Sequence, residues 1–283
     1  MATSREDLVG DSPLSHEQHR FREETARAVP STLHECLRDP DAVVEREIWE
    51  AVRSGAPFVF VTGSAGTGKS HFLELLARAM PTEPAILAPT GLAALGVGGQ
   101  TIHSFFKLDR GVQRPGNAGA NRAPGLYRSL SSIFFDESSM VRADAFDKVD
   151  EILRWGRSSD TPFGGVQIIM VGDLLQLPPV VEKKEEAVLG GLGYKGSYFF
   201  DSHVARHACR PATFVLERIH RQRDPGFARL LNGVRLGNVD TQTLRHLNTR
   251  VFPESMILEE GGLVLTTRVW RAEMRNEQHL QSL

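Results

Sequence analysis

Short apolar runs in the middle of the chain alternate with longer stretches in which apolar residues recur every three or four positions. The runs lack polar alternation, which is typical of strands buried on both faces of a parallel sheet. Because helical stretches separate them, we predict an α/β fold with helices on both faces of the sheet. The predicted strands are 57–61 (PFVFV), 85–88 (AILA), 132–135 (SIFF), 166–171 (VQIIMV) and 213–216 (TFVL).

Helices are predicted around these strands. Apolar residues share one helical face over 71–80, and prolines follow at the end of that stretch. A second amphipathic helix is predicted to begin at Pro225 and to end at Gly237. Charged helical stretches at 17–28 and 43–52 precede the first strand, and glycine-rich or charged segments predict surface loops at 110–125 and 182–196.

Composition adds little to this picture. The 283 residues are 41% hydrophobic and 24% charged, with a net charge of -2, which excludes a protein that is basic over its whole surface. No apolar run reaches the roughly 18 residues of a membrane span, and the N-terminus lacks the apolar region of a secretory signal. The two cysteines, Cys36 and Cys209, predict reduced thiols in a cytosolic or nuclear protein.

One segment between the first strand and the next helix carries phosphate-binding chemistry. It matches the P-loop pattern at every position, as Gly63-Ser64-Ala65-Gly66-Thr67-Gly68-Lys69-Ser70. Glycines let backbone N–H groups surround a phosphate, and the helix that follows directs its positive end at the same anion. We therefore expect ATP at 63–70, with Lys69 at the β- and γ-phosphates and the Ser70 hydroxyl on Mg²⁺.

Two further segments follow predicted strands at the edge where ligands bind in open α/β sheets. Asp136 and Glu137 come directly after 132–135. We expect Asp136 to hold Mg²⁺ through its water shell and Glu137 to deprotonate the attacking water, although two acids there could also cap a helix. Gln176, after the strand 166–171, could hydrogen-bond the γ-phosphate or that water and so sense hydrolysis.

Five ordered segments together resemble the petite-integration-frequency (PIF) DNA helicases, superfamily one enzymes related to RecD. The matching segments are 63–70 (GSAGTGKS), 88–106 (APTGLAALGVGGQTIHSFF), 135–140 (FDESSM), 162–180 (PFGGVQIIMVGDLLQLPPV) and 216–222 (LERIHRQ). The second segment discriminates, because generic P-loop ATPases lack it. The resemblance implies a P-loop NTPase with a RecA-like sheet that moves 5′-to-3′ along single-stranded DNA, with links to repair, recombination and telomere maintenance.

The resemblance also assigns residues. Pro89, Thr90 and Gly91 fall where the family touches the DNA backbone; loop capping is the simpler role for Thr90. Three residues of the following segment are expected to support the DNA path, namely Thr101, His103 and Phe105. A hydrogen-bonded core histidine is the alternative for His103. Arg221 falls where the family has an arginine that contacts the γ-phosphate, and a surface ion pair is its alternative.

The N-terminus departs from the family pattern. Leu14-Ser15-His16-Glu17-Gln18 matches the family element whose glutamine binds adenine, but it lies farther from Lys69 than in the family. Either an insertion separates the two or the match is fortuitous, so Gln18 is a candidate adenine ligand.

The expected domain organisation has three parts. These are an N-terminal helical segment 1–50, a first RecA-like ATPase domain 51–212 and the incomplete beginning of a second over 213–283. Because the family's later motifs would follow Leu283, we expect a truncated motor.

Three functions fit the sequence to different degrees. The first is an ATP-dependent DNA helicase, present as its N-terminal motor half, that acts on single-stranded or tailed and forked duplex DNA. The second is a helicase-derived module that binds nucleotide or DNA without unwinding. A P-loop switch or AAA-type ATPase unrelated to DNA is the third, and it leaves 88–106 unexplained. We expect a monomer with no membrane association, in the nucleus, with mitochondria as the alternative.

Overall fold

The computed structural model describes residues 31–119, 124–220, 224–252 and 264–281. Two compact units make up the chain, one from Met1 to Leu236 and the other from Gly237 to Leu283. Among the described residues, none of the helices combines the length and apolarity that crossing a membrane requires.

The first unit contains one parallel six-stranded sheet. Its strands are β1 (Phe58–Gly63), β2 (Ala85–Ala88), β3 (Gln100–Thr101), β4 (Ser132–Phe135), β5 (Gln167–Gly172) and β6 (Ala212–Leu216). They lie in the order β3-β2-β4-β5-β1-β6, and every neighbouring pair is parallel. The prediction of an α/β parallel sheet is therefore confirmed, and β3 is a strand that the sequence pattern did not indicate.

Helices connect the strands and cover both faces of the sheet. In chain order they are α1 (Ser31–Arg38), α2 (Val43–Arg53), α3 (Lys69–Ala79), α4 (Gly91–Gly96), α5 (Ile102–Phe106), α6 (Pro124–Ser129), α7 (Ala143–Arg157), α8 (Lys183–Gly191) and α9 (Pro225–Arg235). Shorter 3-10 turns lie at Ser138–Met140, Pro162–Gly165 and Phe199–Asp201, and a π-turn lies at Val204–Ala208. The predicted helix at 17–28 lies outside the described residues.

Two hydrophobic cores explain the apolar strands. Along β1, Phe58 and Phe60 join the core that contains α7, whereas Val59 and Val61 join the core that contains α1, α2 and α3. Successive side chains of a strand point to opposite faces, so a strand that is covered on both faces needs apolar residues at every position. This double burial holds the carboxyl ends of the strands in a fixed arrangement at one edge.

The division between the two units comes later than the sequence suggested. β6, expected to open the second domain, pairs in parallel with β1 from Val59↔Ala212 to Gly63↔Leu216. The second unit contains α10 (Thr241–Asn248), which Asp240 caps by accepting from the Thr243 N–H at 2.7 Å. It also contains α11 (Val269–Gln281). That this unit begins a second RecA-like domain stays a prediction.

Candidate nucleotide and nucleic-acid site

The P-loop forms a tight turn between β1 and α3. Gly66 and Gly68 have φ angles of 84° and 81°, a left-handed region that side chains with a Cβ rarely adopt. A Cβ on Gly63 would overlap the carbonyl oxygen of Leu216 on the neighbouring strand. Two of the three glycines are thus required by backbone geometry and the third by the closeness of β6.

Lys69 lies over this loop. Its Nζ donates hydrogen bonds to the carbonyl oxygens of Gly63 and Ser64, both at 2.9 Å. Burial lowers the pKa of Lys69, and the negative charges of Asp173 and Glu137 partly oppose that shift. The ammonium group is therefore held by weak neutral acceptors at a place where a phosphate would be a stronger partner.

Ser70 and Asp136 bring a hydroxyl and a carboxylate together beneath the loop. Ser70 Oγ lies 3.3 Å from Asp136 Oδ1, and the Asp136 side chain is buried. The Asp136 backbone N–H also donates to the Leu87 carbonyl oxygen of β2 at 2.9 Å. Hard oxygen donors of this kind suit Mg²⁺, which normally takes only one or two protein ligands besides water and phosphate. No cluster of three or more His, Cys, Asp or Glu suited to a metal occurs in the described ranges.

Glu137 has an unusual backbone. Its φ and ψ are 50° and 42°, a left-handed conformation that is uncommon for residues other than glycine. Its N–H donates to Asp136 Oδ1 at 2.9 Å, so the two acids are tied by one hydrogen bond. Glu137 acts as the N-cap position of the 3-10 turn Ser138–Met140 but makes no side-chain cap bond there. Helix capping by its carboxylate, the alternative considered above, is therefore not seen at this residue.

The loop after β5 is organised around Asp173. Its carboxylate accepts from Arg235 Nη2 at 2.7 Å and Nε at 2.8 Å, and from Gln176 Nε2 at 3.2 Å. Burial disfavours the charged form of Asp173, but the hydrogen bonds, led by Arg235, outweigh it and lower its pKa. The sequence pattern singled out Gln176 and missed both of its supporting residues, Asp173 and Arg235.

All these groups line one cleft of about 920 Å³ in the first unit. The segment after β6 closes part of it, because the His220 N–H donates to the Gly66 carbonyl oxygen at 2.8 Å. Arg221 follows directly but lies outside the described residues, as does Gln18. The predicted roles of Arg221 and Gln18 therefore stay predictions.

Pro89, Thr90 and Gly91 lie where β2 ends and α4 begins. Thr90 caps α4, with its Oγ1 accepting from the Ala93 N–H at 3.2 Å. Loop capping is thus one role of Thr90, and its partial exposure leaves it accessible to a ligand. Thr101 caps α5 in the same way, accepting from the Ser104 N–H at 3.1 Å.

His103 and Phe105 lie on α5. His103 is exposed, so the alternative of a core histidine is wrong. Partial desolvation of its ring and the positive charge of Arg142 lower the pKa of His103. Phe105 is partly buried and packs against Phe106, with ring centroids 5.0 Å apart. Phe105 thus anchors α5 to the core, and His103 is the more accessible of the two.

The glycine pair before β3 has a packing role. A Cβ on Gly99 would overlap the carbonyl oxygen of Ile86 on β2, whereas the neighbouring Gly98 has open space around it and a φ of 64°. β3 can therefore approach β2 only with glycine at position 99. The exposed side chains of this region include Leu92 and Leu95 on α4, at 83% and 80% exposure.

Arg142 is a structural hub that the sequence pattern did not reveal. Its guanidinium forms ion pairs with Asp144 at 2.6 Å and Glu185 at 3.2 Å. It also donates to the carbonyl oxygens of Gly111 at 2.6 Å and Val180 at 3.5 Å. The loop after α5 and the loop after β5 thus meet at one partly buried arginine. In the sequence, only its place just before α7 could have indicated it.

Comparison with known sequences identifies the family. The sequence model described as "PIF1-like helicase" matches residues 36–245. ATP-dependent DNA helicase PIF1 of Homo sapiens is 34% identical over 264 residues, which cover 90% of this chain and 38% of that protein. ATP-dependent DNA helicase RRM3 of Saccharomyces cerevisiae is 34% identical over 241 residues, covering 80% of this chain and 31% of that protein. The chain therefore spans roughly a third of the length of these relatives.

Solved structures agree with the sequence match. Pif1 of Bacteroides bound to single-stranded DNA is 34% identical, with a TM-score of 0.77 over 83% of this chain and 55% of that chain. Pif1 helicase from Candida albicans is 31% identical, with a TM-score of 0.68 over 85% of this chain and 54% of that chain. The family model covers most of the first unit, with its P-loop and its acidic pair. This chain belongs to the PIF1-like helicase family.

Proposed function

We propose that this chain binds ATP with Mg²⁺, hydrolyses it and uses the reaction to move 5′-to-3′ along single-stranded DNA, as the N-terminal motor half of a DNA helicase. One observation carries the proposal. The Ser70 hydroxyl lies 3.3 Å from the Asp136 carboxylate, at the base of a P-loop whose lysine faces the same cleft. A hydroxyl and a carboxylate in this arrangement are what a nucleotide-bound magnesium ion requires.

The chain's own residues divide the work of hydrolysis. Backbone N–H groups of 63–70 surround the phosphates, and Lys69 leaves its carbonyl partners to pair with the β- and γ-phosphates. Ser70 and Asp136 would hold Mg²⁺, which when bound neutralises charge on the phosphate oxygens. Glu137 orients the attacking water and takes its proton. In this proposal Gln176 contacts that water, and Arg221 stabilises charge on the γ-phosphate.

Single-stranded DNA is the proposed polymer partner. Related proteins have been solved with single-stranded DNA and at forked double-stranded DNA. In this chain Pro89, Thr90 and Gly91 lie at the carboxyl end of β2. Thr101 and His103 follow after α4, at the end of β3 and in α5. These positions would contact the DNA backbone through hydroxyl, N–H and imidazole groups, which fix the strand without selecting a sequence.

The decisive experiment measures phosphate release by the 283-residue chain with and without single-stranded DNA. It then measures strand displacement on a duplex with a 5′ tail. We expect hydrolysis that DNA stimulates and that Lys69→Ala abolishes, with the exposed Lys183→Ala as the matched control.

Two outcomes would change the proposal. Hydrolysis without any response to DNA would remove the motor function and leave an ATPase. Strand displacement by this chain would contradict the truncated motor half, which DNA-stimulated hydrolysis without displacement would support.

A further inference from the structure

A buried ion pair joins the last residue of α9 to the loop after β5. Arg235 donates to both carboxylate oxygens of Asp173, at 2.7 Å and 2.8 Å. The Asp173 side chain is 0% exposed and that of Arg235 is 22% exposed. A bidentate arginine fixes the plane of a carboxylate as well as its position, so Asp173 cannot turn about its own side-chain bonds.

The same carboxylate orients Gln176. The Gln176 Nε2 donates to Asp173 Oδ2 at 3.2 Å, and the Gln176 backbone N–H donates to the Asp173 carbonyl oxygen at 2.9 Å. A carboxylate can only accept, so the nitrogen end of the Gln176 amide must face it. The carbonyl oxygen, Oε1, is then the acceptor that Gln176 offers to the cleft that it lines.

We propose that Arg235 is a positioning residue for ATP hydrolysis, which acts through Asp173 to hold the Gln176 carbonyl oxygen toward the attacking water. The inference rests on the proposed function of the cleft. Arg235 itself touches neither water nor nucleotide in this arrangement. Its contribution is to keep one amide in the orientation in which it accepts a hydrogen bond from the water that Glu137 activates.

Direct contact between Arg235 and the γ-phosphate is the competing arrangement. Arg235 lines the cleft, and its charge lies close enough to Lys69 to disfavour the protonated ammonium. Such a contact would withdraw the guanidinium from Asp173, whose side chain is 0% exposed. An uncompensated buried charge is strongly unfavourable, so we expect the ion pair to persist when nucleotide binds.

A double-mutant cycle on ATP hydrolysis separates the two arrangements. Arg235→Lys keeps the charge but loses the bidentate geometry, and we expect kcat to fall roughly 10-fold with KM for ATP unchanged. In a Gln176→Ala background the same substitution should have no further effect, because the group that it positions is gone. An equal loss in both backgrounds would overturn the proposal in favour of direct contact with the nucleotide.

The matched control is Arg154→Lys. Arg154 also pairs with a largely buried aspartate, with its Nε 2.8 Å from Asp150 Oδ2, but it lies on α7 away from the cleft. The Arg154→Lys variant should lower the free energy of unfolding as much as Arg235→Lys does and leave kcat unchanged. A matching fall in kcat would mean that lost stability, and not positioning, explains the Arg235 effect.

A second measurement needs no turnover. The side-chain amide signal of Gln176 in ¹⁵N NMR spectra, assigned by its loss in Gln176→Ala, should differ from that of a solvent-exposed glutamine. It should move to the exposed position in Arg235→Lys. An unchanged signal would contradict the proposal. If the wild-type chain hydrolysed no ATP, the proposed function would fail, and this measurement would still show whether Arg235 fixes the orientation of the Gln176 amide.

Discussion

The carboxyl edge of the sheet has two parts, which we call the nucleotide edge (63–70, 136–137 and 173–176) and the DNA edge (89–105), and they are built in opposite ways. At the nucleotide edge, Lys69, Asp136 and Asp173 are wholly or partly buried, and each makes named hydrogen bonds. At the DNA edge, Leu92 and Leu95 are at least four-fifths exposed. Chemistry at a fixed phosphate requires preorganised groups, whereas a polymer that slides requires an accessible surface. The two edges should therefore respond differently to substitution.

The largest effect is expected at the nucleotide edge from Glu137→Gln. The amide keeps the shape of the side chain but cannot take a proton, so kcat should fall at least roughly 100-fold. ATP affinity should hold, since Lys69 and the P-loop are untouched. Phosphate release and the binding of a fluorescent ATP analogue measure the two quantities. The exposed Glu186→Gln is the control, and intact turnover in Glu137→Gln would show that another group is the base.

The second-largest effect is expected from Gly99→Ala, which disturbs the packing of β3 against β2 and so the position of the DNA edge. The new methyl group would overlap the Ile86 carbonyl oxygen, so β3 must shift, at a cost of about 1–3 kcal/mol in the free energy of unfolding. Thermal unfolding measures that loss, and single-stranded DNA affinity should fall with it. Gly96→Ala, where the Cβ meets open space, is the matched control and should be neutral or stabilising. A stable Gly99→Ala variant with normal DNA affinity would contradict this account.

A smaller effect is expected from Thr90→Ala. The variant loses the cap on the Ala93 N–H, which costs about 1 kcal/mol, and it loses a proposed DNA contact. We expect DNA affinity to fall severalfold while KM for ATP stays constant. Thr90→Ser keeps the hydroxyl and should restore both properties. If KM for ATP rose while DNA affinity stayed the same, Thr90 would belong to the nucleotide edge instead.

The smallest effect concerns His103 and pH. Because its pKa is lowered by desolvation and by Arg142, the ring is neutral at pH 7 and gains its proton only below its usual value of 6.5. The added positive charge should then strengthen binding to the DNA backbone as pH falls through that range. DNA affinity measured from pH 7.5 to 5.5 tests this, and His103→Gln should flatten the profile. A profile that His103→Gln leaves unchanged would remove His103 from the DNA path.

Sequence alone located β1, β4 and β5 well because burial on both faces leaves a strong signal. The predicted run 85–88 is β2 and 132–135 is β4. The observed ends of the other three predicted strands differ from the predicted ends by no more than two residues. β3 has two residues and is defined only by its pairing with β2, so no local pattern could indicate it. The pairing of β6 with β1 was missed for the same reason, because the strand with which it pairs is a long-range property.

The site residues also fall into two groups, those that a local motif reveals and those that only the fold brings together. The P-loop and its acidic pair are local motifs, so the sequence pointed to Lys69, Ser70 and Asp136, which the structure brings into one cleft. Arg235 joins Asp173 from a distant helix, and Arg142 joins two loops. Neither arginine lies in a recognisable motif, because ion pairs across a fold leave no fixed spacing. Monomeric state and nuclear localisation stay predictions.

The hydrogen bond between the Asp136 N–H and the Leu87 carbonyl oxygen, 2.9 Å long, joins the nucleotide edge to β2 through main-chain atoms alone. It connects the proposed magnesium ligand to a strand that ends one residue before Pro89. Since both partners are main-chain atoms, side-chain substitutions leave it in place, except that proline at position 136 would remove the N–H and the carboxylate together. We expect that separating ATP hydrolysis from DNA movement here would require an ester in place of the Asp136 amide, a change to the backbone itself.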